Sequence, residues 1–353
     1  MTEVHSMLAG RSDAQSSDRS PAGPIFIGGL DRSGKTTMRA FLASHPNIAI
    51  PAVGSNMETY FSGRFGDLGK PKNLERCLDA MLRYKHVRFL SPDPDRIRRE
   101  FRQGDPTYAR LFSLFLIHHA EHEGKPRWGA QTGLIERYAD ALFEAYPGVK
   151  VIHMIRDPRD RYEASLALWP HGRGRAGGAT ARWRYSIGLA ERNLDRYPGR
   201  YRIVRFEDMV TEPERILREV CGFLGETFLP EMLGMPAAPK HRDLLTAGAD
   251  EGGVGTPVSD EFIGGFRGKV PPEEIAFIQL HAGREMRSYG YATQPSGLSK
   301  ADWVRFAAVV WPDRFARMVA WRTIEGLQQR FPRWVPRRPA PRMIIDRPLE
   351  GSL

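Results

Sequence analysis

Apolar positions along the chain fall into blocks of two kinds. Pro24-Ile25-Phe26-Ile27 is a continuous run ending in Gly28-Gly29, which predicts a short buried strand and a glycine turn. From Lys35 to Ser44 the pattern changes, and Met38, Phe41 and Leu42 share one face at helical spacing. Asn47-Ile48-Ala49-Ile50 reads as a second strand. Strand, turn, helix and strand in that order open a parallel α/β sheet. Residues 56–127 read as mostly helical and charged, with loops at Pro92-Asp93-Pro94 and Gly104-Asp105-Pro106. Val149 to Ile155 is the next strand, stopped by Arg156-Asp157-Pro158, with a helix to follow. Trp183, Ile187, Ala190 and Leu194 mark another helix, and Tyr201 to Phe206 another strand. Thr211-Glu212-Pro213-Glu214 has the form of a capping box ahead of Ile216, Leu217, Val220 and Leu224. Pro271-Pro272-Glu273-Glu274 starts a helix that reaches about Ser288.

The flanks differ from this core. Residues 1–23 are polar and end in Ser-Pro-Ala-Gly, the pattern of a disordered tail, and residues 234–260 are rich in Gly and Pro and read as loop. Four of the seven tryptophans, Trp303, Trp311, Trp321 and Trp334, lie between Ser299 and Arg338. Phe306, Val310, Val319, Ile324 and Leu327 predict one or two amphipathic helices there, suited to packing on the domain or to peripheral contact with an anionic membrane. Ten arginines stand against five acidic residues from 301 to 353. The expected organisation is a tail over 1–23, one α/β domain over 24–292, and a basic, Trp-rich helical extension over 293–353. No internal repeat is present.

Composition narrows the function classes. With 353 residues, 41% of them hydrophobic, the chain can bury a large core. No apolar run reaches the ~18 residues of a membrane span. Two cysteines, Cys77 and Cys221, exclude a disulfide scaffold and a four-cysteine zinc site. The first residues lack the apolar stretch of a secretory signal, so a cytoplasmic location is expected. A net charge of +10 favours anionic ligands.

The sharpest motif is Gly28-Gly29-Leu30-Asp31-Arg32-Ser33-Gly34-Lys35-Thr36-Thr37, which follows a strand and opens a helix. Backbone N–H groups at a helix start are unpaired, and the helix dipole adds positive potential, so the turn is an anion cradle. Arg32 and Lys35 add full charges beside it. Gly29-x4-Gly34-Lys35-Thr36 satisfies the phosphate-loop pattern and resembles the loop of thymidylate kinases. Arg-Ser-Gly-x-Thr after a Gly-Gly strand end equally resembles the 5′-phosphosulfate loop of sulfotransferases, with Lys35 where that family usually has Thr or Ser. The loop leaves both readings open.

Further segments resemble the sulfotransferases in family order over about residues 24–292. Met38 to Asn47, with His45-Pro46, is similar to their first helix and turn, tyrosylprotein sulfotransferases included. Ile152 to Asp160, with Arg156-Asp157-Pro158, resembles the strand and turn that bind the donor's 3′-phosphate. Tyr201 to Val210 with Cys221 to Gly225 resembles the "Tyr-Glu-Asp-Leu-Val … Phe-Leu-Gly" segment. Phe262 to Pro272, containing Phe266-Arg267-Gly268-Lys269, resembles the late loop over the nucleotide. Two departures stand out. The position eight residues after Arg156, where the family has a serine, is Ala164; Ser165 is one further, a rotation of about 100° on a helix. Trp128-Gly129-Ala130-Gln131 carries Gln131 where some members have a lysine.

The resemblance implies a P-loop-like parallel sheet flanked by helices, with 3′-phosphoadenosine-5′-phosphosulfate (PAPS) as co-substrate and no metal required. It places the nucleotide on Arg32, Ser33, Gly34, Lys35, Thr36, Thr37, Arg156, Ser165, Arg267, Gly268 and Lys269. Arg32 and Lys35 would stabilise the charge that develops in the transition state, and Glu58 would serve as general base, with His45 and His153 as alternatives. The acceptor is a small molecule, carbohydrate, lipid or peptide. No nucleic-acid partner is expected. A phosphate-loop kinase using ATP and magnesium is the competing reading, with Asp157 as the carboxylate for the metal, and a basic nucleic-acid or membrane-binding module is a third.

Overall fold

The computed structural model describes residues 23–168, 175–235, 260–331 and 333–345. The tail expected over 1–23, apart from Gly23, and most of the loop expected over 234–260 lie outside the described residues. Five strands, β1 (Ile25–Gly29), β2 (Ile48–Ala49), β3 (Arg127–Gln131), β4 (Lys150–Ile155) and β5 (Tyr201–Arg205), form one sheet in the order β2-β3-β1-β4-β5. Every pairing is parallel.

The helices in chain order are α1 (Lys35–Ala43), α2 (Met57–Phe61), α3 (Pro71–Leu82), α4 (Lys85–Arg88), α5 (Pro94–Phe101), α6 (Tyr108–His122), α7 (Ala139–Ala145), α8 (Pro158–Leu168), α9 (Ala176–Arg196), α10 (Phe206–Thr211), α11 (Pro213–Leu224), α12 (Pro272–Ser288), α13 (Lys300–Arg305) and α14 (Trp311–Arg330). They cover both faces of the sheet. Within β1, Ile25 and Ile27 pack with Met38 and Phe41 of α1 and Leu217 of α11, while Phe26 packs on the opposite side with Phe115 of α6. A central parallel strand is buried on both faces, so it needs no alternation of polar residues. The fold is the α/β sheet flanked by helices that the sequence predicts.

The capping box predicted at Thr211 does not form. Thr211 is the last residue of α10, its hydroxyl donates to the Glu207 carbonyl, and α11 starts at Pro213 with no side-chain cap. A capping box does form at the start of α13, where Ser299 and Asp302 bond reciprocally.

The C-terminal extension packs on the domain. α13 runs through a π-turn at Phe306–Val310 into α14, which lies along α9. Their backbones approach so closely at Gly177 that a Cβ there would stand 1.8 Å from the Arg314 carbonyl oxygen. Beyond α14 the chain crosses to α3, where Ile345 donates its N–H to the Arg83 carbonyl at 2.8 Å and Ile344 bridges Tyr84. Glu325, 3% exposed, is clamped between Arg137 and Arg337.

Candidate functional site

The carboxyl ends of β3, β1 and β4 lie side by side, where open parallel sheets place their sites, and hold the candidate residues. At the end of β1 the chain turns through Gly29, whose φ of 103° and 2.2 Å virtual Cβ approach to the Met154 carbonyl oxygen admit only glycine. Arg32 itself has a φ of 67°. Gly34 precedes α1 and offers no side-chain cap, so the first N–H groups of the helix are available to an anion. Lys35 is buried. Its ammonium donates to the Gly29 carbonyl at 2.8 Å and stands 3.5 Å from the Asp31 carboxylate. Lys35 holds that carboxyl below the usual range, helped by Arg182 and Arg161 against the cost of burial. Arg32 and Thr36 are exposed and Ser33 is buried within the turn.

The end of β3 faces this loop. Gln131 donates from Nε2 to the Thr36 hydroxyl at 3.4 Å. The N–H of Gly133 donates to Asn56 at 2.9 Å, and the Thr59 hydroxyl donates to the Gly133 carbonyl at 2.8 Å. These bonds fix α2 against the strand. Glu58, in the first turn of α2, is 6% exposed and accepts from the Thr132 hydroxyl at 3.2 Å. Burial raises its pKa to about 7, against the opposing effect of its hydrogen bonds. It lines a cavity of about 620 Å³ with Tyr108, Tyr138 and Tyr146.

At the end of β4, Arg156 joins two segments. It donates to the Arg32 carbonyl at 3.2 Å and to the Phe262 carbonyl at 2.8 Å, while its guanidinium lies 4.5 Å from the centre of the Phe206 ring. Burial lowers its pKa. Trp183 of α9 fixes the strand end, donating to the Arg156 carbonyl at 2.9 Å. Asp157 is engaged by Arg159 through two side-chain bonds of 3.0 and 2.6 Å. Asp160 accepts the N–H groups of Gly264 and Phe266 at 2.8 and 3.0 Å, which anchors the late loop. The buried Phe266 pins that loop, and Arg267, Gly268 and Lys269 follow it on an exposed turn, with Lys269 3.3 Å from Glu163.

The structure therefore brings Arg32, Lys35, Thr36 and Arg156 together at the ends of β1 and β4. Arg156 ties the late loop that carries Arg267, Gly268 and Lys269 to the same strand ends. Ser165 faces elsewhere: its hydroxyl donates to the Arg161 carbonyl at 2.8 Å, and it lines a cavity against α14. His45 bonds the Thr227 carbonyl and the Asn47 N–H, and His153 is enclosed by Tyr201, Ser186 and Glu136. Both are built into the framework. Sequence reasoning missed the setting of Arg161 and Arg182 beside Asp31, and of Asp160 under the late loop. Asp160 lay within a quoted motif. The two arginines belong to helices whose pairing nothing local announces.

Among the described residues no helix is long and apolar enough to cross a membrane. A family model described as "Sulfotransferase family" matches residues 24–230. Among solved structures, the sulfotransferase domain from the Synechococcus PCC 7002 olefin synthase is 20% identical, covers 77% of this chain and 95% of its own, and superposes with a TM-score of 0.51. The sulfotransferase domain from the curacin biosynthetic pathway is 18% identical over 81% of this chain and 96% of its own, with a TM-score of 0.42. No curated protein matches significantly.

Proposed function

The chain belongs to the sulfotransferase family, and we propose that it moves the sulfuryl group of 3′-phosphoadenosine-5′-phosphosulfate to an acceptor hydroxyl or amine. The donor carries negative charge at two ends, on the ribose phosphate and on the phosphosulfate. One observation carries the reading: the anion cradle at the end of β1 and the buried Arg156 at the end of β4 are joined through the Arg32 carbonyl. Two cationic sites at neighbouring strand ends suit such a donor better than a linear triphosphate. The competing kinase needs a free carboxylate for Mg²⁺, and Asp157, the candidate at this strand end, is held by Arg159.

In this mechanism the N–H groups of residues 34–37, with Arg32 and Lys35, receive the phosphosulfate. The acceptor oxygen or nitrogen forms a bond to sulfur as the bond from sulfur to the bridging phosphate oxygen breaks. The electron pair leaves on that oxygen, beside the cationic loop. Loss of one preorganised donor at such a site costs about 10²–10³ in rate. Glu58 accepts the acceptor's proton, and a pKa near 7 suits that task. Gln131, next to Thr36, supplies a neutral donor in place of a lysine. Arg156, Arg267 and Lys269 would hold the ribose phosphate.

Isothermal titration tests the reading. Adenosine 3′,5′-bisphosphate should bind tightly and without magnesium, whereas ATP binding that requires Mg²⁺ would overturn it in favour of the kinase.

The outer face of α14 favours a second, separate function. Val319 and Leu327 are each more than a third exposed there, and Arg322 and Arg330 are exposed on the same helix. This pattern suits peripheral contact with an anionic bilayer. Co-sedimentation with phosphatidylglycerol vesicles but not phosphatidylcholine vesicles is the expected result, and equal recovery with both would refute it.

A further inference from the structure

The extension that follows the family-matched region does more than pack on α9. Between α8, α9 and α14 lies a cavity of about 400 Å³. Arg161 and Arg182 line it together with Tyr162, Leu166, Trp321 and Ile324. Its charges are poorly compensated. Arg161 is 4% exposed, and among the described residues its two terminal nitrogens reach only the Asp31 and Ala179 carbonyls, at 3.3 and 3.4 Å. Among the described residues the Nε atoms of Arg161 and Arg182 are buried without a partner. Among the described residues neither guanidinium has a carboxylate within ion-pair distance, whereas Arg317 at the rim has Asp313 at 2.9 Å. Asp31, which faces both, already has Lys35 at 3.5 Å, and Glu325, which faces Arg182, is held by Arg137 and Arg337.

Two half-satisfied guanidiniums in a partly apolar chamber have a definite chemical preference. Each offers a planar fork of donors that matches a carboxylate, phosphate or sulfate. An anion in the chamber would relieve the cost of burying them. Consistent with that cost, burial lowers the pKa of both, that of Arg161 to about 10, and each faces other positive charge. Opposite them, Leu166 and Ile324 and the Trp321 ring, 5.7 Å from the Arg182 guanidinium, offer apolar surface. The chamber adjoins the phosphate loop, because Arg161 touches the Asp31 carbonyl.

We propose that this chamber holds the non-reacting part of the acceptor, and that the acceptor is an anionic amphiphile: a hydroxyl compound with an apolar body and a carboxylate or similar anion seated on Arg161 and Arg182. This deepens the sulfuryl-transfer reading and rests on it. It also assigns a role to the extension, since Trp321 and Ile324 of α14 complete the wall. The hydroxyl end would then lie toward Asp31 and Lys35, where the donor is read.

The test uses the full chain and direct binding, with 12-hydroxydodecanoate and 1,12-dodecanediol as a pair of probes that differ in the anion. Each is titrated calorimetrically with adenosine 3′,5′-bisphosphate held at saturation. The acid should bind at least about tenfold more tightly than the diol. Arg182→Gln should remove most of that preference and Arg182→Lys should retain part of it. Ile324→Glu, at a half-exposed position that tolerates substitution, places a like charge in the wall and should weaken the acid more than the diol. Equal affinities for acid and diol would overturn the inference, as would a preference unchanged in both Arg182→Gln and Ile324→Glu. Displacement of the acid by the bisphosphate would also overturn it, by placing the anion in the donor site. A bisphosphate that does not bind at all would instead sink the donor reading, which the first titration reports separately.

Discussion

Replacing Glu58 by glutamine should stabilise the protein and disable it at once, and the two effects should share one pH dependence. The glutamine is nearly isosteric and keeps an oxygen to accept from Thr132. What it removes is an ionisable group whose pKa rises from 4.5 to about 7 on folding, chiefly through burial. A carboxyl with a raised folded pKa stabilises the fold below its unfolded pKa and loses that contribution as pH rises through the folded pKa. Wild-type stability should therefore fall between about pH 4.5 and 7. The full shift corresponds to about 3 kcal/mol. Urea unfolding at pH 4 and pH 8 measures it. Glu58→Gln should lose this contribution to the fall, and at pH 8 it should be more stable than wild type by up to about 3 kcal/mol. As general base, Glu58 must be ionised, so wild-type kcat/KM should climb with pH through about 7. The variant should lose about 10²–10⁴ in rate and lack that inflection. Turnover within tenfold of wild type would refute the base assignment, and an unchanged stability slope would refute the raised pKa.

Further outcomes follow from the anion sites and the extension. Arg32→Ala and Arg156→Ala should each weaken bisphosphate binding about tenfold or more, as the loss of one charge-assisted partner does; wild-type affinity in both, read by calorimetry, would contradict the placement of the donor. Asp160→Ala leaves the N–H groups of Gly264 and Phe266 without their partner, so the donor KM should rise more than kcat falls. Steady-state kinetics against donor concentration checks this, and an unchanged KM would detach the late loop from donor binding. Glu325→Gln breaks a buried clamp between Arg137 and Arg337 and should cost about 3–5 kcal/mol. Thermal and urea unfolding report that loss, and a change below about 1 kcal/mol would show the C-terminal extension to be loosely held.

Much of the sheet was legible because its central strands are largely apolar runs. Ile25 to Ile27 and Val151 to Ile155 announce themselves, and the glycines after the first announce the loop. Strand β3 was hidden: Arg127-Trp128-Gly129-Ala130-Gln131 has no β-branched residue. Its place depends on tertiary fit, since a Cβ at Gly129 would stand 2.7 Å from the Ile25 carbonyl oxygen of the neighbouring strand. The misplaced capping box has the same origin. Phe206 reads as the end of a strand, so the short helix α10, to which Thr211 belongs, left no separate signal. Within the site, Arg32, Lys35 and Arg156 were legible because loop and strand end are local features. The setting of Glu58 was not, because its partner Thr132 lies 74 residues away. Arg161 and Arg182 look like ordinary helix arginines until α14 closes over them.

A crystal of the protein soaked with adenosine 3′,5′-bisphosphate would be the most direct test of the two anion sites. The 5′-phosphate should rest on the N–H groups of residues 34–37 and the ribose phosphate against Arg156. Density for the nucleotide elsewhere, or with its ribose phosphate remote from Arg156, would contradict the account.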